Sequence, residues 1–129
     1  MEFRHVSTDN APAAIGPYSQ AVVAGNFVFC SGQIPINPVT GEMINKGIAE
    51  ATEQVLKNLT ALLEDSGSSI GNIVKVTVYL TDMNNFKEMN DVYEKYFSSS
   101  KPARVCVEVS GLPKGAIVEA DAIAILNRA

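Results

Sequence analysis

The chain has 129 residues, enough for one domain with a single sizeable core. Hydrophobic residues are 47% and charged residues 19%, ordinary globular usage that excludes a disordered or fibrous chain. The net charge of -4 argues against a nucleic-acid partner, which ordinarily leaves a basic footprint, and no apolar run reaches the ~18 residues of a membrane span.

The first twenty residues, MEFRHVSTDNAPAAIGPYSQ, lack the charged-then-apolar pattern of a signal peptide, and their acidic residues argue against a transit peptide. The expected location is therefore cytoplasmic. His5, the single histidine, is expected to be solvated near a mobile N-terminus. Residues 19–31, QAVVAGNFVFCSG, read as two short strands joined at Gly25-Asn26, a pair that favours a tight hairpin turn. QIPINPVTGEM, dense in Pro, Asn and Gly, reads as loop.

A helix follows, with Ile48, Ala51, Val55, Leu59, Leu62 and Leu63 at three- and four-residue steps and Gly67 placed as a left-handed cap. Residues 73–80 are rich in β-branched side chains and predict a strand with Val74, Val76, Val78 and Leu80 on one face. Asp82 or Asn84 can cap a second helix whose buried stripe is Phe86, Met89, Tyr93, Tyr96 and Phe97. SSSKP at 98–102 breaks it. Two last strands, about 103–109 and 117–126, flank SGLPKG. The order β-β-α-β-α-β-β implies a single α+β domain over 1–129, a mixed sheet with two helices on one face. The other face, rich in Val and Ile, calls for self-association.

Cys30 and Cys106 are far apart in apolar runs and read as buried, reduced thiols. With one histidine and no CxxC pair, no closed zinc ligand set can be assembled.

In 103–109, Arg104, Cys106 and Glu108 alternate with Ala103, Val105, Val107 and Val109. A hairpin folded about Leu112-Pro113 sets Cys106 opposite Glu119 and Arg104 opposite Asp121, clustering the four polar residues on one face. The cluster admits two readings: an ordinary cross-strand ion pair, or an anion-binding Arg beside a carboxylate that handles water. A guanidinium suits a substrate carboxylate because its planar fork donates two parallel hydrogen bonds and keeps its charge. Tyr18, after Gly16-Pro17, offers an aromatic wall or merely packs at the sheet edge. Ser31-Gly32-Gln33 leaves a strand where glycine lets a ligand approach the backbone.

At these residues the chain closely resembles the RidA (YjgF/YER057c) family of reactive-intermediate deaminases. The shared segments are GPYSQAV (16–22), FCSGQIP (29–35), VKVTVYLTDMNNF (74–86), Asn90 with YEKYF, PARVCVEV (102–109) and LPKGAIVEADAIA (112–124). The resemblance implies a chorismate-mutase-like α+β fold and a homotrimer with sites between subunits. It implies hydrolytic deamination of 2-iminopropanoate, 2-iminobutanoate and their enamine forms to 2-oxo acids and ammonia, with no cofactor or metal.

By position, the resemblance makes Arg104 the carboxylate binder and Glu119 the residue that orients or activates water. Tyr18 lines the pocket, facing a neighbouring subunit's Arg104. Ser31 and Gly32 border it, Cys106 gives backbone contacts, and Asn90 supports the cleft. Cys106 as a covalent nucleophile is the alternative, lacking a histidine base. Lys101 stands where the family usually has an aromatic residue, the serine-rich link before it is short, and Asp121 replaces a common Glu. Lys101 either widens the cleft mouth or adds positive charge near the carboxylate. Competing functions are an endoribonuclease or translation inhibitor, and a non-catalytic ligand-binding or chaperone-like trimer.

Overall fold

The computed structural model describes residues 3–128. Its elements are β1 (Phe3–Val6), β2 (Ala21–Ala24), β3 (Phe27–Gln33), α1 (Ile48–Asp65), β4 (Ile73–Leu80), α2 (Phe86–Phe97), β5 (Ala103–Glu108) and β6 (Val118–Ile125). The strands form one six-stranded mixed sheet in the order β1-β2-β3-β6-β4-β5. All neighbours are antiparallel except β4 and β5, which are parallel and need the crossover that α2 supplies.

Small residues decide how closely the helices approach. Ala120, Ala122 and Ala124 of β6 are buried beneath α1, whose Val55, Leu56, Leu59, Leu62 and Leu63 are fully buried. The expected α1 stripe, Ile48 through Leu63, all lies in this core. The helix ends as its sequence requires: Gly67 takes φ +89, and the N–H groups of Gly67 and Ser68 donate to Glu64 O and Leu63 O at 3.2 and 2.9 Å.

In α2, Met89, Val92, Tyr93 and Phe97 are buried while Phe86 and Tyr96 are only partly covered. Val92 therefore belongs to the stripe, and the two aromatics border it. Asp82 supplies the cap, accepting from Asn84 N at 2.9 Å ahead of a short 3-10 turn.

Four expectations need correction. Residues 103–108 and 118–125 are not a hairpin, because β4 lies between them. The connection loops over the end of β4, where Val109 N donates to Leu80 O and Thr81 N to Ile117 O. Val74 is exposed: Ile73 and Lys75 stand opposite the adjacent residues Ala124 and Ile123, so Val74 is the extra residue of a bulge. The N-terminal segment forms β1 on β2, adding a sixth strand; His5 there is exposed, as expected, with Nδ1 2.8 Å from Ser19 Oγ. Cys106 is half-buried, whereas Cys30 is buried; both thiols are free.

The face away from the helices is open. Across it run Val22, Phe29, Ile123, Lys75 and Ala103 at one level, then Asp121, Thr77 and Val105, then Glu119, Tyr79 and Val107. Phe27, Phe29, Val105, Val107 and Ile125 are all exposed there. No helix is long and apolar enough to cross a membrane among the described residues.

Candidate active site

Arg104 sits on β5, an edge strand, level with Val76 of β4. Cross-strand partners share a face, and Val76 and its other partner Ala122 are buried under the helices. Arg104 therefore projects on the helix side, where α2 flanks it. Phe86, Asn90 and Tyr93 are spaced four and three residues apart, so they share one face of α2. Asn90 Oδ1 accepts from Arg104 Nη1 at 2.6 Å. The guanidinium carbon lies 4.6 Å from the Tyr93 ring centroid and 5.5 Å from that of Phe86, within cation–π range.

Among the described residues the ion pair present is Lys87–Asp91, so Arg104 has no carboxylate partner. That excludes the cross-strand ion pair. A neutral oxygen and two aromatic faces fix the cation while leaving its charge uncompensated. Arg104 opens into a cleft of about 570 Å³ lined also by Asn90, Tyr93, Glu94, Lys101 and Pro102.

The Tyr93 hydroxyl is buried without a partner, and burial raises its pKa against the pull of Arg104. Cys106 lies on the same sheet face, level with Val78. Burial raises its thiol pKa and Arg104 only partly opposes this, so the neutral thiol is favoured over a nucleophilic thiolate.

The expected cluster of Arg104, Cys106, Glu119 and Asp121 does not form within one chain. Glu119 and Asp121 pair with Tyr79 and Thr77 and point to the open face. Arg104 is on the other face and two strand spacings away, roughly 10 Å.

Glu119 instead meets Gly32. A Cβ built on Gly32 would stand 2.5 Å from Glu119 Oε2 and 2.8 Å from Cδ. The space opened by the glycine is thus filled by a carboxylate of the same chain. Ser31 and Gly32 remain inside β3, at an irregularity between Cys30 and Gln33. The Ser31 hydroxyl donates to Ser19 O. Tyr18 is exposed, its hydroxyl accepting from Ile15 N at 3.2 Å, and with Gly32 it borders a separate small cavity of about 50 Å³.

Glu119 has its pKa raised, first by burial and then by the nearby Asp121 charge. Asp121 accepts from Tyr79 Oη at 2.8 Å, a bond that is the main cause pushing Tyr79 up to about 12. Among the described residues no group of three or more His, Cys, Asp or Glu side chains is placed to hold a metal ion.

The residues expected to share one site therefore fall into two separate groups. Arg104, Asn90 and Cys106 form one beside α2; Tyr18, Ser31, Gly32 and Glu119 form the other near the β3–β6 seam. Phe86 and Tyr93 were legible only as core. The available signal was Asn90, a polar residue among apolar ones on the same helix face.

Residues 8–126 match the family model described as Endoribonuclease L-PSP. A RutC family protein of Pyrococcus horikoshii is 58% identical over 92% of this chain and 94% of its own. The human 2-iminobutanoate/2-iminopropanoate deaminase is 45% identical over 95% of this chain and 89% of its own. The solved structure of Escherichia coli TdcF with bound serine superposes with a TM-score of 0.90 at 41% identity, covering 96% of this chain and 99% of that one.

Proposed function

The chain belongs to the endoribonuclease L-PSP family, the RidA-type family that its motifs resemble, and on that premise we propose that it hydrolyses small 2-imino acids and their enamine tautomers to 2-oxo acids and ammonia. The substrates are of the 2-iminopropanoate and 2-iminobutanoate class, as in the name of the human relative. One observation carries the proposal: a guanidinium without a carboxylate partner, held by Asn90 and two rings, opens into a cleft.

Arg104 grips the substrate carboxylate through its planar fork. The protonated imine carbon is already electrophilic, so catalysis requires an oriented water and proton transfer rather than a strong nucleophile. Water adds to that carbon and gives up a proton to the carboxylate, which passes it to the amine nitrogen. The C–N bond then breaks as the new C–OH becomes C=O, and the hydroxyl proton leaves through the carboxylate to the departing ammonia, giving the 2-oxo acid and ammonium. Glu119, whose pKa burial and the Asp121 charge raise above the ordinary carboxylate value, is the group assigned to both proton steps.

Because Glu119 and Arg104 lie on opposite sheet faces, the reading pairs Arg104 of one copy with Glu119 and Tyr18 of the next. The arrangement is a homotrimer closed over the apolar open faces. In this reading Cys106 and Asn90 come from the Arg104 side, and Ser31 and Gly32 from the other.

The test is pyruvate formation from 2-aminoacrylate generated in situ. Wild type accelerates it and Arg104→Ala does not; no acceleration by wild type rejects the proposal. The family's name motivates a second reading, RNA cleavage. RNA cleavage by wild type that Arg104→Ala abolishes would favour that reading.

A further inference from the structure

We propose that Lys101 makes the Arg104 cleft selective for imino and oxo acids bearing a second, distal carboxylate. The inference rests on the reading that Arg104 holds the carboxylate next to the reacting carbon, and it names the substrate class at that same site.

On this chain's side the cleft, about 570 Å³, extends beyond Arg104, so its lining offers contacts to more of a ligand than one carboxylate. From Arg104 the lining continues through Pro102 to Lys101, with Glu94 as the single acidic residue on it. No carboxylate lies within ion-pair distance of Lys101 among the described residues. Two cations against one anion leave this chain's part of the lining net positive, with the Lys101 side chain exposed to solvent. The Arg104 fork fixes one carboxylate in orientation, whereas a lysine is a mobile point charge that can follow a second one several bonds away.

The backbone at Lys101 supplies an independent argument. Its φ is +46, in the left-handed region that residues with a Cβ enter at a cost. Lys101 N donates to Phe97 O at 2.9 Å, ending the α2 turn with a left-handed cap where glycine is the default. The turn uses only the backbone of residue 101. At this position the chain carries a cationic side chain on the cleft lining where glycine, the default for the conformation, would leave none.

Titration calorimetry with 2-oxobutanoate and 2-oxoglutarate tests this without requiring turnover. The expected result is at least fivefold tighter binding of 2-oxoglutarate by wild type. Lys101→Met and Lys101→Gly abolish that preference, and Lys101→Gly also raises the melting temperature. Glu94→Gln widens the preference by removing the competing anion. Equal affinities, binding of neither acid, or a preference that survives Lys101→Met overturns the inference. A Lys101-dependent preference without any imine hydrolysis sinks the deaminase reading and leaves the selectivity standing; hydrolysis without the preference does the reverse.

Discussion

Glu119 lies across Gly32 so closely that a Cβ at residue 32 would stand 2.5 Å from Oε2. The atoms in the way are the end of a flexible side chain, so a substitution turns the carboxylate aside rather than disrupting the sheet. Gly32→Ala is expected to keep its melting temperature within a few degrees of wild type. It is expected to lose roughly 10–100-fold in kcat, part of the ~10²–10⁴ that a positioned acid–base group contributes. Unchanged kcat would mean that Glu119 does not handle the water.

Arg104 is fixed by a neutral acceptor and two ring faces rather than by a carboxylate. Its removal therefore leaves no buried countercharge behind, unlike the breaking of a buried ion pair. Arg104→Ala should remain folded while losing at least about 100-fold in kcat/KM, the scale of a lost charge-assisted bidentate contact at ~3 kcal/mol. Arg104→Lys should recover only part of this, since it restores the charge but not the fork. Circular dichroism with steady-state kinetics on both variants checks the pattern.

The raised pKa of Glu119 has a definite sign for stability. Below the ordinary carboxylate pKa the side chain is neutral in both folded and unfolded chains. As pH rises past that value the unfolded chain ionises first, and the stability contributed by the neutral folded form is lost progressively until the pH exceeds the raised folded pKa. Glu119→Gln should therefore match wild type in acid and exceed it at neutral pH, as followed by denaturant midpoints across the range. In catalysis, Asp121→Asn should lower the acid limb of the kcat/KM profile only in part, because burial is the larger cause of the shift.

Val105 and Phe29 are apolar, exposed and on the open face. Val105→Glu is expected to convert a trimer to monomers in sedimentation velocity, with helical content retained and deaminase activity lost. A monomeric wild type would remove the trimer, and full activity in monomeric Val105→Glu would remove the shared site.

Local structure was legible in the sequence; strand neighbourhood was not. The α1 stripe from Ile48 to Leu63 and its Gly67 cap follow from period and conformation within a few turns of chain. The partnership of 103–108 with 118–125 looked local because SGLPKG resembles a turn, but the connection passes over the end of β4. Alternation puts Arg104 opposite in facing to its Val neighbours, yet it cannot say which strand lies alongside. Val74 departs from its strand's alternation for a related reason: a bulge is a property of two strands, and the sequence of one does not contain it. Tyr93 and Phe86 were hidden in plain helical periodicity, where a platform for a cation and a core contact have the same spacing.

Arg104 and Glu119 lie on opposite sides of one sheet, and for a site shared between copies this has a genetic consequence. If neighbouring copies meet head to tail around a ring, chains lacking Arg104 and chains lacking Glu119 are each dead, but their defects lie in different halves. Mixed equally and reassembled, any ring containing both kinds has one junction where the two sound halves face each other. Two inactive preparations combined should then regain roughly a quarter of the wild-type clefts.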